Sequence, residues 1–129
     1  MEKGVQDHKQ EILNIIRSNV SPAAMTSRLE DFHENDLADV LPDLTVPERC
    51  KLYRIMDLDM LSDIFEYTDE AGAAEYLQEM DIKKAAAILS RMETDFLVDV
   101  LQKIDKGRRK LLIELMDDDV RHDIEVIAS

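Results

Sequence analysis

Six aspartates hold the chemistry that this sequence could do. Asp59 and Asp63, Asp95 and Asp99, and Asp119 and Asp123 are each four residues apart, and all three pairs occupy one register of a repeat. On a helix, like charges at that spacing face each other and cost roughly 0.2–0.5 kcal/mol. The first member of each pair recovers part of this from the positive end of the helix; the second, one turn further in, recovers less. Asp39 and Glu75 continue the second position on other helices, and Asp117-Asp118-Asp119 thickens the last pair. Paired carboxylates on one surface suit a hard divalent cation. Mg2+ takes oxygen ligands and keeps several waters, so one or two carboxylates can hold it. The six aspartates are therefore the candidate metal ligands. Neighbouring helices lie about 8–10 Å apart, so adjacent pairs would share an ion through water unless their side chains converge. The plainer reading is a solvated face that keeps an apolar repeat soluble.

Other chemistries find little support. No Asp-x-Asp-x-Asp-Gly calcium loop occurs, nor a phosphate-cradling glycine loop. The histidines are His8, His33 and His122, without an HExxH pair, and Cys50 has no second thiol. Cys50 reads as a small apolar residue on a short helix and His33 as a turn or cap residue. The chain is not read as an enzyme, and no catalytic or organic-cofactor residues are assigned.

Charge narrows the partners. The chain carries 29 acidic against 16 basic residues, a formal net charge of −13. Such a surface repels phosphate backbones, which argues against nucleic acid, and disfavours anionic lipid. Cations and basic protein surfaces suit it better. A single cysteine fits a reducing compartment. No apolar run approaches the ~18 residues of a membrane span, so direct insertion is not expected. The start, MEKGVQDHKQE, lacks signal-peptide character.

The elements that must position the aspartates follow from a twelve-residue period. Val40, Leu52, Ile64, Tyr76, Ile88, Val100, Leu112 and Ile124 are all apolar. The next register, Leu41, Tyr53, Phe65, Leu77, Leu89, Leu101, Ile113 and Glu125, breaks only at the last residue. The third, Leu44, Met56, Thr68, Met80, Met92, Ile104, Met116 and Ala128, breaks only at Thr68. Spacing of i, i+1, i+4 within each unit is one face of a helix. Twelve residues hold two to three turns and a connection, too little to stand alone in water. Consecutive units therefore pair into 24-residue hairpins that stack: 36–43 with 47–56, 60–67 with 71–80, 82–91 with 95–104, and 108–116 with 120–128. Upstream, a first helix covers about 5–19 with Ile12, Ile15 and Ile16 inward. A second opens at Ser21-Pro22, as N-cap and first residue, and runs to about Phe32. Pro42 shortens its helix. Thr45, Asp57, Asp69, Asp81, Glu93, Asp105 and Asp117 share the junction register and read as helix caps. The expected fold is all-α: a solenoid of short helical hairpins, right- or left-handed, in a single domain over 1–129. Its N-terminal helices lie in 1–33 and its stacked hairpins in 34–129.

From about residue 25 onward the chain resembles the cytosolic N-terminal domain of the MgtE magnesium channels. The resemblance rests on His33, Asp36, Leu37, Ala38 and Leu41, then Pro47, Glu48 and Arg49, then repeated Met-Asp steps. Glu34 departs from the family, which commonly has Pro after the histidine. The resemblance implies a fragment of a larger membrane protein, a homodimer at the cytoplasmic side of the cell membrane. CBS domains and a membrane pore would follow in the same polypeptide. It further implies that Mg2+, bound weakly by this domain alone, bridges its acids to acids of the CBS domains and favours the closed pore. Asp63, Asp95 and Asp99 would supply half of each site. A second reading is a helical-repeat adaptor for proteins with no metal role, resembling the middle domain of the flagellar motor switch protein. The Glu-His-Pro-Gln signature of that protein is absent.

Overall fold

The computed structural model describes residues 3–128, with side chains over 8–126. Its elements are ten α-helices: α1 (Lys3–Ile16), α2 (Pro22–Leu29), α3 (Glu34–Val40), α4 (Val46–Ile55), α5 (Leu58–Phe65), α6 (Glu70–Leu77), α7 (Ile82–Leu89), α8 (Thr94–Gln102), α9 (Lys106–Glu114) and α10 (Asp118–Ala128). A 3-10 turn, Leu41–Asp43, follows α3, where Pro42 has no N–H to continue the helix. No strand occurs among the described residues. From α2 to α10 the helices begin at residues 22, 34, 46, 58, 70, 82, 94, 106 and 118. The twelve-residue period of the sequence is thus the period of the backbone.

Most junctions are built by an apolar residue followed by a capping residue. The apolar residue closes one helix: the N–H of Leu44, Met92, Ile104 and Met116 donates to the carbonyl three residues back, at 3.0–3.2 Å. The following residue starts the next helix. Ser21 Oγ accepts from the Ala24 N–H at 3.2 Å, and His33 Nδ1 from Asn35 at 3.0 Å. Asp57 accepts from Met60 at 2.8 Å, Asp69 from Gly72 at 2.6 Å, Asp81 from Lys83 at 3.0 Å and Asp105 from Arg108 at 3.3 Å. Thr45 and Glu48 form a reciprocal capping box. The connections need no left-handed residue, since no described residue has positive φ. Three glycines therefore suffice for nine junctions. Glu93 departs from the expected caps: its side chain makes no capping bond. Its own N–H instead donates to Glu66 Oε2 at 3.1 Å. A glutamate side chain is one methylene too long for the short return that Asp and Ser make.

The helices stack one 24-residue unit apart. α3 packs on α1, α5 on α3, α7 on α5 and α9 on α7; α4 packs on α2, α8 on α6 and α10 on α8. Odd and even helices thus form two stacks, with the core between and within them. The first apolar register is buried throughout, from Val40 to Ile124. In the second, Leu41 to Leu101 are buried, Ile113 is half-buried and Glu125 is exposed. In the third, Leu44, Met56, Met92, Ile104 and Met116 are buried and Met80 is half-buried; Ala128 lies outside the described side chains. Thr68 holds its place there by donating its hydroxyl to the Phe65 carbonyl at 2.6 Å. A fourth register, Ala38, Cys50, Ser62, Ala74, Ala86 and Val98, is small, which lets neighbouring helices approach closely. Ser62 is buried in it to 2% exposure, and Cys50 is half-buried. Ile12 and Ile16 are buried and Ile15 half-buried, as expected for α1. No helix among the described residues is long and apolar enough to cross a membrane.

Candidate functional site

Two polar assemblies stand out from the repeat, one buried and one open. The buried one centres on Arg49, in a register that is apolar or small at Leu37, Leu61, Ala73, Ala85 and Leu97 and turns to arginine again only at Arg109 and Arg121. It is 8% exposed. Its guanidinium meets the Glu79 carboxylate in a two-pronged contact: Nε to Oε1 at 2.9 Å and Nη2 to Oε2 at 2.7 Å. Nη1 donates to the carbonyls of Leu44 at 2.7 Å and Leu41 at 3.0 Å. The Tyr53 hydroxyl donates to Glu79 Oε1 at 2.8 Å, and the guanidinium carbon lies 5.1 Å from the centre of the Tyr76 ring. Burial alone would raise the Glu79 carboxyl, but the hydrogen bonds from Arg49 and Tyr53 outweigh it and hold it below its ordinary value. Burial, then the bond to Glu79, pushes the Tyr53 hydroxyl up, so it stays a donor at neutral pH. Every strong acceptor is used within the assembly. It clamps α4 to the end of α6 and leaves no group free for catalysis.

The open assembly is a cleft of about 300 Å³ lined by Glu66, Glu70, Glu93, Asp95, Phe96 and Asp99. Glu66 caps the end of α5, Glu70 opens α6, and Glu93 precedes α8, whose first turns carry Asp95, Phe96 and Asp99. α6 and α8 are stacked neighbours, so the N-terminal turns of two helices converge here. Their aligned N–H dipoles favour negative charge. Five carboxylates line the cleft and no Lys or Arg does. The register explains why Glu93 belongs here: its side chain, released from capping, is free to face the cleft.

The six candidate aspartates are all exposed. Asp95 and Asp99 face the cleft; Asp119 and Asp123 lie on α10, the next helix of the same stack. Asp59 and Asp63 lie on α5, in the other stack, and Asp59 is already paired with Arg91 Nε at 2.8 Å. Asp39 and Glu75, far apart in sequence, meet instead in a second groove with Pro42, Tyr67, Asp69 and Tyr76. The Asp69 oxygen there is spent on its cap. Among the described residues, no three His, Cys, Asp or Glu side chains converge closely enough to ligate one ion directly. The cleft offers only oxygen donors, which suits Mg2+ or Ca2+ rather than zinc or copper. Its openness fits an ion that keeps its water shell and takes further ligands from another surface.

Sequence reasoning missed Glu66, Glu70 and Glu93 as neighbours of Asp95. It also missed the Arg49–Glu79 clamp, although a charged residue between the apolar or small residues Leu37 and Leu61 of its register was the visible signal. The histidines lie apart: His33 caps α3, while His8 Nδ1 stands 3.7 Å from Asp36 and meets the Phe32 ring edge-on.

Compared with known proteins, residues 32–129 match the family described as the MgtE intracellular N domain. A crystal structure of the soluble part of a magnesium transporter superposes with a TM-score of 0.82 at 22% identity, covering 95% of this chain and 48% of that one. At that identity the likeness shows the fold, an all-helical superhelix. This chain spans about half the length of that one. No curated protein matches.

Proposed function

The chain belongs to the family of MgtE intracellular N domains, and on that premise we propose that it is the cytoplasmic regulatory domain of a magnesium channel or transporter. One observation carries the reading: the cleft between α6 and α8 gathers five carboxylates without a compensating cation. Most junction acids are consumed in helix caps, and Glu79 is consumed by Arg49. Asp95 and Asp99 are left with charge but no ion-pair partner among the described residues.

Asp95 and Asp99, with Glu66, Glu70 and Glu93 behind them, form one half of a site for hydrated Mg2+. Acids of a facing surface, the CBS domains of the same polypeptide in a dimeric parent, supply the other half. Without the ion the two acidic surfaces repel and the domain stands off. With it the same charges hold the surfaces together and favour the closed pore. The ion's preference for one arrangement over the other moves the gate. Asp119 and Asp123 extend the surface along the same stack. Asp63, with Asp59, serves a separate contact on the odd stack, since the two sets cannot meet one ion.

The test is Mg2+ inhibition of flux through the full-length protein. Asp95→Asn with Asp99→Asn keeps the shape, removes two charges and leaves the fold intact. It should shift closure to higher internal Mg2+, by an amount worth about 1–3 kcal/mol of coupling. Asp81→Asn, in a cap where Asn also serves, should leave closure unchanged. Closure of the double variant at the wild-type Mg2+ concentration would reduce the cleft to a solvated face and favour a protein-binding adaptor.

A further inference from the structure

One hairpin ahead of the acidic cleft, the repeat makes a groove of about 440 Å³. Pro42, Asp69, Ala71, Gly72 and Glu75 line it, at the positions that Glu66, Glu93, Asp95, Phe96 and Asp99 hold in the cleft. The equivalents differ in kind. Two of the cleft's carboxylates become Pro42 and Ala71, and Phe96 becomes Gly72. Gly72 keeps the groove open: a Cβ there would stand 3.0 Å from Asp69 Oδ1 and 3.8 Å from Tyr76 Cε2. Met60 and Lys84, one repeat before and after, carry long side chains at that position. Tyr67 adds a wall at 52% exposure, its ring held edge-on by His33 at 5.4 Å.

Asp39 and Glu75 are the exposed acids of this groove with no cap to make, and neither forms an ion pair among the described residues. Lys9, which shares a smaller pocket with Asp39, is paired with Asp43 Oδ2 at 2.6 Å. No Lys or Arg lines the groove. A hydrated metal ion would use the carboxylates and gain nothing from Tyr67, Pro42 or Gly72. An organic cation uses all of them: the charge meets carboxylates and a ring, and the stem meets small apolar walls. The chain itself shows which cation suits such a set. Arg49 lies between the Glu79 carboxylate and the Tyr76 ring, 5.1 Å from its centre, and Tyr76 also borders the groove. A planar guanidinium stacks on a ring while its N–H groups grip carboxylates, which an ammonium does less well.

We propose that this groove binds an arginine side chain on a basic segment of a partner protein. The guanidinium meets Asp39 and Glu75 beside the Tyr67 ring, and its methylenes lie against Pro42 and Gly72. The net charge of −13 draws such a segment in. A second copy of the chain is a poor source. Arg17, Arg49, Arg91 and Arg121 are in ion pairs, and Arg108 and Arg109 donate to carbonyls. That leaves Arg28 and Arg54, both within helices, and two chains of this charge repel.

The test is a titration of the nitrogen-15-labelled chain with the peptide acetyl-Lys-Gly-Arg-Gly-Lys-amide, followed by backbone amide shifts, at about 0.1 M salt with chelator present. Saturable shifts are expected at Tyr67, Gly72 and Glu75. Citrulline in place of the arginine keeps the shape without the charge and should weaken binding about tenfold; lysine there should weaken it less. Asp39→Asn with Glu75→Gln should weaken binding about tenfold, and Tyr67→Leu about threefold, while the rest of the spectrum stays that of the folded chain. Glu11→Gln with Glu114→Gln removes the same charge elsewhere and should change binding by less than about twofold. Equal binding of the citrulline peptide, or equal binding by the Asp39 and Glu75 variant, overturns the proposal. Shifts spread over the whole acidic surface do so too. A groove that ignores the peptide and shifts with Mg2+ is an ion site instead. Self-association that is lost in the Asp39 and Glu75 variant, without peptide binding, assigns the groove to a second copy.

Discussion

Replacing Glu79 with Gln tests the clamp between α4 and α6 directly. The side chain keeps its size but loses its charge, and Arg49 is left 8% exposed without a counter-ion. Three of its contacts survive: the carbonyls of Leu41 and Leu44 and the face of Tyr76. One prong of the two-pronged contact becomes an amide N–H facing a guanidinium N–H. Removing one partner of a buried pair costs about 3–5 kcal/mol; the surviving carbonyl contacts place Glu79→Gln near 3 kcal/mol. For 129 residues at about 2.1 cal/mol/K per residue, that lowers Tm by roughly 11 °C. Arg49→Met with Glu79→Met removes both charges and should cost less than Glu79→Gln alone, because no buried ion remains. Urea denaturation of Arg49→Met, Glu79→Met and the double variant closes the cycle. The pH dependence has a definite sign. Glu79 titrates below its ordinary value in the folded chain, so its contribution is complete above the unfolded carboxyl range. It is lost as pH falls through the folded value. The gap between wild type and Glu79→Gln should therefore narrow below about pH 4. A loss under 1 kcal/mol, or a double variant costing the sum of its singles, would refute the clamp.

Two further outcomes follow from the core and the cleft. Ile88→Ala and Val100→Ala, each at a fully buried position of the first apolar register, should each cost on the order of 1–4 kcal/mol in denaturant titration, through the cavity left behind. Millimolar Mg2+ should raise the melting temperature of the chain modestly, and by more than KCl at matched ionic strength, because an ion held by the cleft acts beyond general screening; equal effects of the two salts would leave the cleft without ion preference.

The amino-acid sequence by itself determined the local order of this protein. The helix starts, the caps at Asp57, Asp69, Asp81 and Asp105, the break at Pro42 and the buried registers are set by contacts within four residues, so residue type and period reveal them. The exceptions are instructive. Glu93 shares the register of the caps but not their chain length, and its role was set by Glu66, twenty-seven residues away. Only the tertiary structure decided which equivalent positions become neighbours. The three aspartate pairs are identical in register, yet alternate helices enter different stacks, which parts Asp59 and Asp63 from Asp95, Asp99, Asp119 and Asp123. Arg49 and Glu79 meet across thirty residues through the same stacking. Glu66 and Glu70 join Asp95 because α6 packs on α8. A period fixes what each unit is, but the packing of apolar faces one unit apart fixes which charges share a surface.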